Sequence, residues 1–184
     1  MKKALIGILL ILAVAAAGAK AEAGVFYLGV QGGLSQQKAK LSDIKFNSDT
    51  SFLYGLKGGV KIATLAVELN YFQAAHNLTS EAGGGWDNRA IDYNYLGANL
   101  KWIFPLLIVQ PYITAGYGYY TADIHDFGKD KNGGFNAGAG VELVLGKSFS
   151  LSAEGKYHHV KLNVDSQNLS LGNFTLSGGL NFYF

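Results

Sequence analysis

From residue 26 onward the chain alternates apolar with small or polar residues, and seven of its charges keep to one side of that alternation. Phe26, Leu28, Val30 and Leu34 interleave with Tyr27, Gly29, Gln31 and Gly33. Leu65, Val67, Leu69 and Tyr71 interleave with Ala66, Glu68 and Asn70. A period of two is a strand signal, because a helix would scatter these residues over all its faces. The pattern recurs at 26–34, 52–61, 65–71, 95–104, 109–119, 135–145, 149–158 and 173–184. These segments predict eight strands. Pro111 lacks an N–H and belongs near the start of the fifth.

Connections alternate in length. Polar stretches at 35–50, 73–89, 121–133 and 161–170 read as loops, and the joins at 62–64, at Pro105 and at 146–148 as short turns. An even strand count puts both ends of the chain on the side of the short turns. Segments of roughly ten residues match the thickness of a membrane crossed by tilted strands. Lys57, Lys61, Glu68, Lys101, Glu142, Glu154 and Lys156 all lie opposite the apolar residues of their strands. A Lys facing lipid near the midplane costs about 2–4 kcal/mol, so these side chains are expected to point into a lumen. Aromatics collect at both ends of the apolar face. Trp102, Phe104, Phe149, Phe182 and Phe184 fall toward the short turns. Phe52, Tyr71, Tyr117, Tyr119, Phe135, Tyr157 and Phe174 fall toward the long connections. Two such belts match two lipid–water interfaces. A secreted soluble barrel would turn the apolar face inward instead and leave the two belts without a cause.

Composition agrees. Only 15% of residues are charged, against roughly 25% in soluble domains, while glycine (25 residues) and aromatics (13%) are abundant. No cysteine is present, which excludes disulfides and thiolate chemistry. Residues 1–23 read as a cleaved signal peptide: Lys2 and Lys3, an apolar run over 4–17, then Ala19, Ala21 and Ala23 in A-x-A spacing. That run is too short to span a bilayer as a helix, and no later segment is apolar for 18 residues. With Lys2, Lys3, Lys20 and Glu22 removed, 15 basic and 13 acidic residues become 12 and 12 over 24–184, which argues against nucleic acid as a partner. The expected architecture is all-β: an eight-stranded antiparallel up-and-down transmembrane β-barrel at 24–184.

The opening FYLGVQGGLS, then LAVELNYF, QPYITAGYGYY and the closing LSGGLNFYF together resemble the small eight-stranded bacterial outer-membrane barrels of the OmpA, OmpX and opacity-protein type. The resemblance covers all of 24–184. It implies a bacterial outer-membrane location, contact with outer-membrane lipid and lipopolysaccharide, and insertion by the barrel-assembly machinery. Gly179, Phe182 and Phe184 resemble the C-terminal signal that this machinery reads. For activity the resemblance implies a range: structural barrels, adhesins, narrow channels and a few lipid-modifying enzymes. Fold alone does not choose among them.

The residues narrow the range. Lys57, Lys61, Glu68, Lys101, Glu142, Glu154, Lys156 and His158 form an expected lumen network, in a barrel just wide enough for side chains to fill. Inward glycines leave room for bulky partners such as Tyr95 and Tyr112. The outward His–Ser–Glu triad of outer-membrane lipid A deacylases needs Ser two residues after the His. Here Val160 follows His158 and Lys161 follows His159 at that spacing, so no catalytic residue is assigned. Gly146-Lys147-Ser148 resembles a phosphate-binding loop, but five residues separate it from Gly140 where the motif needs four. No metal ligand or cofactor site is assigned either. Trp86, beside Gly83, Gly84 and Gly85, is a candidate contact point on a loop whose ligand is unknown. The expected function is non-enzymatic: envelope structure, or surface contact through extracellular loops. The alternatives are a narrow porin-like channel for small solutes and a lipid-modifying enzyme.

Overall fold

The computed structural model describes residues 24–41, 44–79, 89–124, 128–164 and 167–184. Residues 1–23, expected from sequence to be a signal peptide, and Trp86 lie outside the described residues. Eight strands are described: β1 (Gly24–Leu41), β2 (Ile44–Ile62), β3 (Leu65–Thr79), β4 (Arg89–Ile103), β5 (Val109–Ile124), β6 (Gly128–Leu145), β7 (Phe149–Val164) and β8 (Gln167–Tyr183). Each pairs antiparallel with its chain neighbours, and β1 pairs with β8 from Tyr27↔Tyr183 to Leu41↔Leu169. The sheet is a closed barrel in sequence order, with no free edge.

The short connections are hairpin turns. Ala63 and Thr64 join β2 to β3, and Gly146, Lys147 and Ser148 join β6 to β7. Gly146 has φ of 78°, a left-handed conformation that glycine adopts without a Cβ clash. Gly146-Lys147-Ser148 is therefore a turn and not a phosphate cradle. Pro111 is the third residue of β5, and its carbonyl accepts from the Phe104 amide at 2.8 Å.

The strands run further than the side-chain alternation predicts. Much of 35–50, 73–79, 121–124, 128–133 and 161–164 is paired strand and not loop. The physical reason is that membrane sets the alternation, whereas the backbone ladder needs only N–H and C=O groups. Beyond the lipid the ladder continues while the apolar pattern stops. Register shifts between Gln36 and Lys38 and between Ser48 and Leu53 fall where β1 and β2 enter these extensions.

Polarity is inverted relative to a soluble barrel. Val30 is 55% exposed and Leu56 61%, whereas Glu68 is 0% and Lys156 3% exposed. Both aromatic belts lie on the outer surface: Phe149, Phe182 and Phe184 in tilted contact at the short-turn end, Tyr117 against Phe135 at the other. Ala153 sits on the outer face of β7, midway between Phe149 and Tyr157 of the two belts. Ala153→Arg is expected to destabilise the barrel in lipid vesicles by about 2–4 kcal/mol, and Ala153→Leu to be near neutral. Urea titration of the vesicle-inserted protein, read by the heat-induced gel shift, measures both.

Candidate functional site

The lumen holds the polar side chains and is stacked in layers along the barrel axis. At the short-turn end, Lys61 Nζ donates to Gln110 Oε1 at 2.6 Å. Glu142 accepts from the hydroxyls of Ser150 and Tyr183, and Asn181 Nδ2 donates to Ser150 Oγ at 3.0 Å. The Tyr112 ring packs with Ala66 and Ile103 and lies under Lys101 Nζ, 4.7 Å from its centroid. Gly140 makes that ring position available: a Cβ there would come within 2.5 Å of the Tyr112 ring.

Above this lies the ionic layer. Lys101 Nζ is 2.5 Å from Glu68 Oε2 and 3.8 Å from Glu154 Oε2, and Lys156 Nζ is 2.8 Å from Glu154 Oε1. Tyr27 OH donates to Glu68 Oε2 at 2.8 Å, and Lys57 Nζ to Ser152 Oγ at 2.8 Å. Gln31 Nε2 donates to Asn70 Oδ1 at 2.8 Å. Charges this deeply buried persist only when paired and hydrogen-bonded. Five of the eight residues assigned to a lumen network from sequence belong to this layer. Lys61 and Glu142 sit nearer the short turns, each with neutral partners. His158 sits on the other side, with the aromatics.

The third layer is a plug of rings. Phe72, Tyr93, Tyr95 and Tyr120 cluster with Leu53, Ala74 and Val160. On β2, β3, β4 and β7 these residues lie further from the short turns than the charges do: Leu53 beyond Lys57, Phe72 beyond Glu68, Tyr95 beyond Lys101, Val160 beyond Lys156. Ring centroids are 5.0 Å apart for Phe72 and Tyr95, and 4.9 Å for Tyr95 and Tyr120. Such contacts contribute about 0.5–1.5 kcal/mol each beyond area burial. His158 meets Phe72, Tyr95 and Tyr120 edge-on. Its Nδ1 lies 2.9 Å from Tyr120 OH and its Nε2 3.2 Å from Thr175 Oγ1, so both ring nitrogens are engaged. Asn136 Nδ2 donates to Tyr95 OH at 2.8 Å. Glycine again makes the space: a Cβ on Gly118 would stand 2.5 Å from Tyr95 Cε2.

Of the plug, only Tyr95 is anticipated from sequence. Phe72 and Tyr120 carry a signal that parity alone misses: an aromatic on the lumen side, next to a glycine. Phe72 pairs with Gly55, and a Cβ on Gly134 would stand 2.9 Å from the Tyr120 ring. Between plug and ionic layer lies a cavity of about 10 Å³, bounded by Gln31, Asn70, Phe72, Glu154, Lys156 and His158 among others. That is the room of about one water molecule. Among the described residues, no group of three His, Asp or Glu side chains is placed to hold a metal ion.

A closed antiparallel barrel with an aliphatic exterior, two aromatic belts and a charged interior is an integral membrane β-barrel. Comparison with known proteins names its kind. A family model described as the outer membrane protein beta-barrel domain matches residues 6–182, and the chain belongs to that family. No curated protein matches it. Among solved structures, neisserial surface protein A aligns at 20% identity with a TM-score of 0.64, over 86% of this chain and 97% of that one. The N-terminal β-barrel domain of Pseudomonas aeruginosa OprF aligns at 15% identity and a TM-score of 0.54, over 86% and 97%. Ail, the attachment invasion locus protein of Yersinia pestis, in complex with the heparin analogue sucrose octasulfate, aligns at 18% and 0.52, over 86% and 99%. At these identities the likeness is one of fold.

Proposed function

We propose that this outer-membrane barrel is a closed, non-catalytic scaffold: it strengthens the envelope and presents its extracellular connections for surface contact. The aromatic plug carries the reading. It sits over the ionic layer, and the cavity between the two, of about 10 Å³, has room for about one water molecule. Neither ring nitrogen of His158 is directed at a carboxylate–serine pair, which supports a role in packing. The strands run past the lipid-facing alternation on the side of the long connections, which supports contact there with a ligand or neighbouring envelope component. Ail offers a precedent for attachment on this fold. The protein reconstituted into planar bilayers should give a quiet baseline. Stable conductance steps that depend on the solute would overturn the closed-barrel reading in favour of a narrow channel. Lipid A extracted from cells with and without the protein should give identical mass spectra, and a lost or added acyl chain would make it an enzyme.

Assembly is the second part of the proposal. Phe182 and Phe184 continue an outward aromatic row from Phe149, and Gly179 lies inside near Lys57 and Ser152. This arrangement supports recognition of β8 by the assembly machinery. Phe182→Ser combined with Phe184→Ser should lower heat-modifiable protein in outer-membrane fractions several-fold. The same variant refolded from urea into detergent should still show the gel shift. Unchanged membrane levels would count against the assignment.

A further inference from the structure

The connection between β4 and β5 is unlike the other two turns at its end of the barrel. Residues 102–109 read WIFPLLIV, with no charged or hydrogen-bonding side chain apart from the Trp102 indole. Leu106 is 63%, Leu107 92% and Ile108 61% exposed. A turn meeting water would carry Gly, Asn, Asp or Ser, as Gly146-Lys147-Ser148 does. Leu107 has φ of 53°, in the left-handed region where Gly and Asn are favoured, a conformation that Ala63 of the β2–β3 turn shares at 51°.

The turn is ordered. The Phe104 amide donates to Pro111 O at 2.8 Å, Leu106 to Phe104 O at 2.9 Å and Val109 to Leu106 O at 3.1 Å. Val144 N on β6 donates to Ile108 O at 2.8 Å, and Pro105 has no N–H to satisfy. These bonds pair part of the turn's backbone, which lowers the cost of leaving bulk water. Its apolar surface is also continuous with the lipid-facing band. Trp102 and Phe104, outward at the end of β4, stack at 6.3 Å with planes 10° apart. Leu106, Leu107 and Ile108 extend that surface past the strand ends. The run from Trp102 to Val109 carries no charge, whereas a protein interface pairs an apolar centre with a polar border.

We propose that the β4–β5 turn is a membrane keel: it inserts into the headgroup and upper acyl region of the phospholipid leaflet at the short-turn end. The partner is a lipid surface and not a periplasmic protein. The keel lies on one side only, because Ala63-Thr64 and Gly146-Lys147-Ser148 lack apolar reach. It therefore sets the depth of the barrel and the direction of its tilt, as interfacial anchors do.

The absence of cysteine allows a direct test. Leu107→Cys, Ile108→Cys and Lys147→Cys, each in the full chain, are labelled with an environment-sensitive nitrobenzoxadiazole dye. They are reconstituted in nanodiscs of phosphatidylethanolamine and phosphatidylglycerol, and the gel shift confirms folding. The dye at 107 and 108 should emit at shorter wavelength than at 147. Phospholipids spin-labelled high on the acyl chain should quench it at least threefold more, and aqueous iodide at least threefold less. Ile108→Cys keeps the test alive if the labelled Leu107 variant does not fold. Equal iodide quenching at 107, 108 and 147 overturns the proposal. So does a dye that is exposed in nanodiscs but shielded in native outer membranes, because a protein would then be what covers the turn.

Discussion

Alanine at Glu68 destabilises the folded barrel by about 3–5 kcal/mol, the range for removing one partner of a buried ion pair. Glu68 is fully buried and its Oε2 takes both the Lys101 ammonium at 2.5 Å and the Tyr27 hydroxyl at 2.8 Å. Without it Lys101 keeps only Glu154, at 3.8 Å, and the face of the Tyr112 ring, 4.7 Å from its centroid. The penalty is that of an uncompensated charge, not of the contact alone. The double variant Glu68→Leu, Lys101→Met removes both charges at similar volume. It should recover most of the loss, because well-packed apolar replacements of buried ion pairs are often neutral or better. Urea titrations of vesicle-inserted protein, with folded fraction read by gel shift, give both numbers. A Glu68→Ala barrel as stable as the parent would mean that the ionic layer is solvated and not structural.

Emptying the plug has a different signature. Truncating a buried aromatic to alanine costs about 3–5 kcal/mol. Tyr95→Ala with Tyr120→Ala should approach the upper end or exceed it, since the two rings touch and share His158. The same double variant should also conduct. It removes the rings that roof the ionic layer, so ion-selective steps should appear in planar bilayers where the parent is silent. Tyr95→Phe with Tyr120→Phe keeps the rings and should stay closed, losing the hydroxyl contacts to Asn99, Asn136 and His158. A truncated barrel that folds yet stays silent would place the closure elsewhere, in the ionic layer itself.

Much of this was written in the alternation. Lys57, Glu68, Lys101, Glu154 and Lys156 point inward because lipid rejects them, a rule that needs no tertiary information. The pairing among them did not follow. Which carboxylate meets Lys101 depends on barrel shear, and shear is a property of the closed register and not of any one strand. Hence Lys61 and Glu142, inward by the same parity, find Gln110, Ser150 and Tyr183 instead of opposite charges. The plug was hidden for another reason. Phe72, Tyr93 and Tyr120 are aromatic, and in a membrane barrel aromatic residues are first assigned to the interfacial belts. Neighbouring glycines mark Phe72 and Tyr120 as interior, and Tyr93 faces the small Ala74 and Ala122. The length of the strands was masked in turn, because polar ladders outside the lipid resemble loops in side-chain pattern. The β4–β5 turn shows the converse. Pro105 marks a turn there, but the exposure of the apolar run around it follows from Leu106, Leu107 and Ile108 lying past the ends of the strands.

One consequence of the ring topology concerns time. Seven of the eight ladders join chain neighbours and can form as successive hairpins with little loop-closure entropy. The β1–β8 ladder alone is remote in sequence: Ser35 Oγ donates to Asn173 Oδ1 at 3.0 Å across 138 positions. Closure of that seam is therefore the step on which the rate of folding turns. Until it happens, the outer edges of β1 and β8 are two unpaired templates for any other strand. Stray pairing at this edge, and not failure of any hairpin, is the misfolding route that the topology leaves open.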